Sequence, residues 1–420
     1  MEHENRKHFA AALKIRDVRF FIGSIGCFTL ASRALAVVIG FQIYKITHST
    51  LALGMLGLVE AIPVISLVLF GGYVADHFNR KKILLITGAV SCFCALALAL
   101  ISWQSHHSGS VIALYAVIFI AGIARGFSDP AGTAFEAQII PKDLTVSGGS
   151  WVSSTWMTFS IVGPACIGFI FDAGGAIASY LVIFVFFMLS WFCTNQIQPG
   201  PQLIPEKTEP VLKSIATGWH FVFTNQPLLG ALALDLFAVL FGGAMALLPV
   251  FANDILHVGA KGLGILNAAP SVGAILVTLL ATHKPPIRHA GRNLLLTVAG
   301  FGISILVFAF SKNFFLSIFA LFFSGVFDGI SVVIRRSMIR LLSPEHLRGR
   351  VAAASWIFIC SSNELGAFES GLVAAWIGTV PCVIVGGLVT LGIVGLSALF
   401  AKELRHLRFN PHTLEQEDSR

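Results

Sequence analysis

The chain has 420 residues, of which 56% are hydrophobic and only 12% charged, and it carries a formal net charge of +7. Soluble domains contain about one charged residue in four, so this composition excludes an ordinary soluble globular protein. The basic excess would suit a nucleic-acid partner, but its placement along the chain, described below, argues against one.

The apolar stretches are long. A helical span of a bilayer takes roughly 20 residues. Residues 20–44, 51–75, 83–103, 111–140, 150–171 and 177–194 form a first set of six such stretches. Residues 228–252, 262–281, 294–310, 314–338, 351–375 and 381–400 form a second. Hydrocarbon offers no water to an open backbone group, so each stretch predicts an α-helix. The expected fold is an all-α membrane protein of twelve transmembrane helices. Residues 20–36 look superficially like a secretory signal, but the apolar run continues to Tyr44 and no soluble domain follows. Cys27, Cys92, Cys94, Cys166, Cys193, Cys360 and Cys382 all fall inside predicted spans, and the Cys92/Cys94 spacing is not CxxC, so they read as packing residues.

Between the sixth and seventh stretches lies "NQIQPGPQLIPEKTEPVLKS", residues 195–214, the longest polar interval. It divides the chain into an N-terminal six-helix half (1–194), a cytoplasmic linker (195–227) and a C-terminal six-helix half with a cytoplasmic tail (228–420). The halves echo one another. "LGLVEAIP" (56–63) resembles "LGILNAAP" (263–270), with Glu60 opposite Asn267. "KKILLITGA" (81–89) resembles "GRNLLLTVA" (291–299), and "IIPKDL" (139–144) resembles "LSPEHL" (342–347), with Arg125-Gly126 falling on Asp328-Gly329. Six plus six helices in the same sense is a parallel repeat about an axis along the membrane normal. With the N terminus in the cytoplasm, 23 of the 28 Lys and Arg fall in cytoplasmic segments, Arg335 to Arg350 among them, and only Lys45, Lys261 and Lys312 fall outside. This asymmetry places both termini inside. The basic charge thus reports topology and contact with anionic lipid, not a polynucleotide.

"GGYVADHFNRKK", residues 71–82, resembles the signature between the second and third helices of the major facilitator superfamily. Gly72, Ala75, Asp76, Arg80, Lys81 and Leu84 match it; His77 replaces an arginine and Asn79 a glycine. Asn tolerates the left-handed conformation better than other non-glycine residues, so a left-handed turn at Asn79 is expected. "FQIYKITHST" (41–50), "DPAGTAFEAQIIP" (129–141), "LSPEHLRGRV" (342–351) and "ELRHLRFNP" (403–411) look like the drug:proton antiporter branch, which contains the enterobactin exporter and macrolide efflux proteins. "GPACIG" (163–168) resembles the antiporter motif of the fifth helix through Gly163, Pro164 and Gly168, but Ile167 and Phe159 stand where that motif has glycines. The resemblance implies that Asp76, Gly72, Arg80 and Lys81 gate the outward-open state, the alternative being a positive-inside loop in which Asp76 only neutralises its neighbours. It also implies a monomer.

Each ionisable residue inside a span costs about 2.5–3.5 kcal/mol on insertion scales, so it needs a reason to be there. Such residues are Arg33 on the first stretch, Glu60 on the second, Arg125 and Asp129 on the fourth, Asp235 on the seventh, Asp328 on the tenth, and Glu364 and Glu369 on the eleventh. The third, sixth, ninth and twelfth stretches have none in mid-span; the resemblance implies that those four helices face lipid, while the six that carry charge line the cavity. Asp328, Glu364, Asp235, Glu60 and Asp129 are the proton-coupling candidates, and Arg33 and Arg125 the cavity cations. A structural reading stands beside each: Arg125 and Asp129 lie one turn apart and suit a simple pair, and Asp235 and Glu369 lie toward span ends. No P-loop, zinc spacing or nucleophile elbow occurs, so neither an enzyme nor a bound cofactor is expected, and the proton gradient is the expected driving force. The function expected is proton-coupled export of a siderophore-like or drug-like amphiphilic compound from the bacterial cytoplasm across the inner membrane, by alternating access. The expected partners are that substrate, protons and membrane lipids. A lipid-moving or importing member of the same superfamily, and a non-transporting membrane sensor or scaffold, are the alternatives.

Overall fold

The structure, a computed structural model, describes residues 11–104, 110–198, 211–281, 288–344 and 347–409. Residues 199–210 of the expected linker, positions 345 and 346 of "LSPEHLRGRV" and the side chain of Cys360 lie outside the described residues. Among the described residues there is helix and no strand.

The first helices are α1 (Arg16–Thr47), α2 (Thr50–His77), α3 (Arg80–Gln104) and α4 (Ser110–Ile139). Thr145–Gln196 is helical over 52 residues except at Gly175, whose φ of 69° and ψ of −166° break it into two arms, α5 before the glycine and α6 after it. Contacts with α1 show that the arms run in opposite directions. Along α5, Phe159 meets Gly26, Gly163 meets Leu30 and Phe171 meets Phe41, so α5 is parallel to α1. Along α6, Tyr180 meets Gln42, Phe187 meets Phe28 and Ser190 meets Ser24, so α6 is antiparallel. A positive φ of this kind is open to glycine and costly for other residues.

The chain continues with α7 (Val211–Thr224) and α8 (Gln226–Phe241). After an interruption at Gly242 and Gly243, single turns carry α8 on to Ile255. Then follow α9 (Gly259–Ala281), α10 (Ala290–Phe310), α11 (Phe314–Leu342), α12 (Arg348–Ile377), α13 (Thr379–Phe400) and the short α14 (Lys402–His406). Among the described residues ten helical segments are long and apolar enough to cross a membrane. Thr145–Gln196 is one of the ten although it folds back on itself. The remaining long helix, α12, is more polar and carries Arg348, Arg350, Glu364 and Glu369. Each of the twelve stretches read from the sequence lies on helix, apart from Ile140 at the end of one and the break at Gly242 and Gly243 within another. The linker also holds more than polar coil, since α7 occupies its second part.

The chain forms two compact units. The first comprises Met1–His48, Leu58–Thr208 and Val258–Ala268; the second comprises Ser49–Gly57, Glu209–His257 and Ala269–Arg420. In the first, buried polar contacts tie α1 to α3 and α6. Tyr180 Oη donates to Gln42 Oε1, Gln42 Nε2 donates to Ser102 Oγ at 2.8 Å, and Ser24 shares hydrogen bonds with Ser190 and Thr194. In the second unit the linker helix is anchored rather than loose. Trp219 stacks on Phe358 of α12 with ring centroids 5.1 Å apart, and Val222 is buried among Leu228, Leu232, Val351 and Ala354. The C-terminal α14 buries Leu404 against α8 and α10, in a cluster with Ala231, Leu234 and Leu294.

The repeat is visible in the packing. In the first unit Gly122 and Gly126 of α4 let α2 approach: a Cβ built on Gly122 would lie 2.7 Å from Pro63 Cγ, and one on Gly126 would lie 3.0 Å from Leu67 Cβ. In the second, 203 residues later, Gly325 and Gly329 of α11 do the same for α9: Gly325 lies against the Pro270 backbone, and a Cβ on Gly329 would lie 3.1 Å from Ala274 Cα. Among the described residues, the two non-glycine residues with positive φ are His48 (48°) and His257 (52°), 209 positions apart, one after α1 and one after the α8 span. Small residues replace side-chain bulk where two membrane helices come close. "GIARG" and "GVFDG" are GxxxG motifs, each with a charged residue, Arg125 or Asp328, before its second glycine.

Candidate functional site

Two clusters of embedded charge stand out, one in each unit. In the first, the close approach of α2 and α4 brings Glu60 beside Arg125, whose Nη1 donates to Glu60 Oε1. Asp129, one turn along α4, places Oδ2 3.8 Å from Arg125 Nε. Ser128 Oγ lies 3.5 Å from Asp129 Oδ1. The expected pairing of Arg125 with Asp129 is present, as a longer contact than the hydrogen bond to Glu60.

The second cluster joins α8 to α11. Arg335 Nη1 donates to Asp235 Oδ2, and Arg335 Nη2 lies 3.8 Å from Asp328 Oδ1. The sequence reading assigned Arg335 to a cytoplasmic cluster; in the structure it lies on α11, buried against α8 and paired with the opposite charge of Asp235. Asp235, read as lying toward a span end, is buried too. Side-chain exposure separates the clusters. Arg125, Glu60 and Asp129 are 38%, 30% and 39% exposed, whereas Arg335 and Asp235 are 6% and 9% exposed and Asp328 is 46% exposed. The repeat does not extend to the charges. Asn267, opposite Glu60 in the repeat, turns its amide back to Leu263 O at 3.0 Å. Asp328, opposite Arg125, reaches instead for an arginine further along its own helix.

Arg33 and Glu369 have contacts of their own. Arg33 on α1 sits over the ring of Trp156 on α5, 5.5 Å from its centroid, an arrangement in which the ring face attracts the cation. Glu364 lies partly buried on α12, five residues before Glu369, whose Oε2 accepts from Ser370 Oγ at 3.3 Å.

The loop between α2 and α3 ties helix ends together. Arg80 donates from Nε to Ala75 O and from Nη1 to Ala134 O, both at 3.1 Å, joining the ends of α2 and α4. Lys81 Nζ donates to Asn195 O at 2.7 Å and Ile197 O at 2.8 Å, at the end of α6. Cations are favoured at helix C-termini, where carbonyl groups lack intrahelical donors. Asp76 is partly buried near the end of α2. Gly72 has open space where a Cβ would stand, whereas its neighbour Gly71 is pressed against Gly126. Asn79 departs from expectation: it is not left-handed, and its Oδ1 instead accepts from Lys82 N at 3.1 Å, capping the start of α3.

On α5, Gly163 and Gly168 face different neighbours. A Cβ on Gly163 would lie 2.8 Å from Leu30 O of α1, and one on Gly168 would lie 2.5 Å from Ala260 O at the start of α9. Pro164 is buried between them, and its carbonyl meets Gly264. Phe159 fills the space that Gly26 leaves on α1, so the small residue of that contact has moved to the partner helix. Beside Gly168, Lys261 Nζ pairs with Asp172 Oδ2 at 2.9 Å.

Arg335 is the residue that the sequence reading missed. Its signal was present: it lies within the stretch 314–338 and follows Asp328 by seven positions, two helical turns.

Comparison with known proteins supports the fold. The sequence model of the Major Facilitator Superfamily matches residues 21–367. The chain is 24% identical over 387 residues to the enterobactin exporter EntS of Escherichia coli (strain K12), covering 92% of each chain. The homologous exporter of Shigella boydii serotype 18 matches at the same identity and coverage. Among solved structures, a D-xylose–proton symporter superposes with a TM-score of 0.70 at 13% identity, covering 93% of this chain and 99% of that one.

Proposed function

Because the chain belongs to the Major Facilitator Superfamily, and is thus a membrane transporter and not an enzyme, we propose that it exports a siderophore-like or drug-like amphiphilic compound in exchange for protons. The observation that carries the direction of transport is the similarity to the enterobactin exporter over 92% of both chains. The observation that favours protons is the pair of charge clusters. Each sets one arginine between two carboxylates, so each has one negative charge in excess and room for one proton. Arginine keeps its own proton, so the carboxylates are the groups that load and release one. Asp328, Asp235, Glu60 and Asp129 are the coupling candidates already in such clusters, and Glu364 is a further one on α12. Arg33, backed by Trp156, serves as a cavity cation. Asp76, with Arg80 and Lys81, forms the gate on the cytoplasmic side. In this reading the protein is a monomer in the bacterial inner membrane with both termini in the cytoplasm.

Everted membrane vesicles containing the protein test the proposal. With an imposed pH gradient they are expected to accumulate radiolabelled enterobactin or the drug-like cation ethidium, and a protonophore is expected to abolish the accumulation. Vesicles that accumulate neither compound beyond vesicles lacking the protein would refute the export reading.

A further inference from the structure

The C-terminal corner of the second unit gathers cations that the embedded charge clusters do not use. The short α14 is folded back onto the start of α10. Leu404 is fully buried, and Gly291 leaves no room for a Cβ against the Leu404 carbonyl. Gly291 N donates to Leu407 O at 3.4 Å, and Leu407 and Phe409 pack against Ala290, Leu294 and Leu404. This seat sets Arg405 and Arg408 beside the first turn of α10, where Arg288 and Arg292 flank Gly291, and Lys402 opens α14. All five cations are exposed, and among the described residues none of them makes an ion pair. Glu403, the acid on α14, is engaged elsewhere: Gln226 at the start of α8, with its amide oriented by hydrogen bonding, donates to Glu403 Oε2 at 2.9 Å. Like charges repel, so a fold that fixes five of them at one corner suits an anionic partner.

The apolar surface next to these cations identifies the kind of anion. α13 runs into Lys402, and Leu396, Leu399 and Phe400 leave an exposed apolar face over its last turns. α10 lies antiparallel beside α13, with Gly302 against Leu391 and Leu306 against Gly387, so the exposed Leu296 comes level with that face. A soluble anion has no use for an apolar face, whereas a phospholipid presents a phosphate and acyl chains together. Basic residues just beyond the end of a span attract anionic headgroups, and the guanidinium fork matches a phosphate. We infer that this corner is a binding site for an anionic phospholipid, with its phosphate held by Arg292, Arg405 and Arg408 and its acyl chains laid along Leu396, Leu399 and Phe400. The general excess of basic residues acts through number and needs no such site; here the tail is folded back to build one. The inference needs only that the ends of α10 and α13 meet a lipid leaflet, and depends on neither export nor proton coupling.

Native mass spectrometry of the purified protein in detergent tests the site, with phosphatidylglycerol and phosphatidylcholine of the same acyl chains as probes. Wild type is expected to prefer phosphatidylglycerol by roughly tenfold or more, and Arg292→Gln/Arg405→Gln/Arg408→Gln to lose that preference. Lys14→Gln/Arg19→Gln/Lys82→Gln removes three exposed cations from the first unit and is expected to keep the preference within about twofold. A wild type without the preference overturns the inference. Equal losses in the two triple variants reduce the effect to net charge and overturn it as well. Glycerol 3-phosphate, which has the phosphate without the chains, is expected to compete only at roughly a hundredfold higher concentration, because it buries no apolar surface. Competition at the concentration of the lipid itself assigns the corner to a soluble phosphate and overturns the lipid. Should the first variant fail to fold, phosphatidylglycerol with a photoreactive acyl chain keeps the test on wild type. Label is then expected at Leu296 and within residues 396–400, and label that avoids both overturns the site.

Discussion

Removing one carboxylate from each cluster has unequal consequences. Asp235→Asn leaves Arg335 buried with Asp328 3.8 Å away as its remaining anion. Breaking a buried pair from one side costs about 3–5 kcal/mol. Glu60→Gln leaves Arg125 with Asp129, and these side chains are less buried than Arg335 and Asp235. Thermal unfolding in detergent is therefore expected to show a larger drop in Tm for Asp235→Asn than for Glu60→Gln; equal drops would contradict the difference in burial. The residues themselves were only partly legible in the sequence. Glu60, Arg125, Asp129, Asp235 and Asp328 stood out because charge is costly inside a span. Arg335 did not, because it lies near the end of an apolar run among arginines that do face water, and only its partner on another helix distinguishes it. Asn79 was recognisable as a turn residue, but which backbone group its side chain would serve was not.

At the scale of the helices, close approach is set by glycine. A Cβ on Gly325 would overlap the backbone of Pro270, which has no flexible end to swing aside. Gly325→Ala is therefore expected to destabilise the protein by about 1–3 kcal/mol, as overpacked positions do. Gly72→Ala meets open space inside α2 and is expected to be neutral or to stabilise by up to about 1 kcal/mol, since alanine is the better helix former. Melting curves of the two purified variants check this pair, and a Gly325→Ala protein as stable as wild type would refute the packing account. Helix positions were legible because a span needs a long apolar run. Which face meets which neighbour was not, because a helix that is apolar all round gives no amphipathic stripe to read. The GxxxG spacings were the available clue. α7 was hidden for a different reason: it follows four prolines and was absorbed into a linker defined by polarity.

For the whole molecule, the two-fold repetition was legible from three short matches, and the packing repeats it at Gly122 and Gly325, and at Gly126 and Gly329. The asymmetry of charge showed in the matched segments, where Glu60 stands opposite Asn267 and Arg125 opposite Asp328, but the pairing did not, because the partners lie on other helices. The orientation is testable directly. In a background with the exposed Cys166 replaced by Ala, Lys45→Cys and Lys312→Cys are expected to react with an impermeant thiol reagent added to intact cells. Lys82→Cys and Arg292→Cys are expected to react only after the membrane is permeabilised, and the opposite pattern would invert the topology. The expectation rests on the 23 of 28 Lys and Arg that the sequence puts in cytoplasmic segments against three outside.

The single reversed glycine between α5 and α6 also bears on how the chain is made. With one residue at the turn, α5 has no tether long enough to settle in the membrane while α6 waits in water. Insertion of the two arms together, as a hairpin of the 52 residues Thr145–Gln196, is the expected consequence. Cross-linking of ribosome-bound nascent chains that found α5 settled before α6 had been synthesised would contradict it.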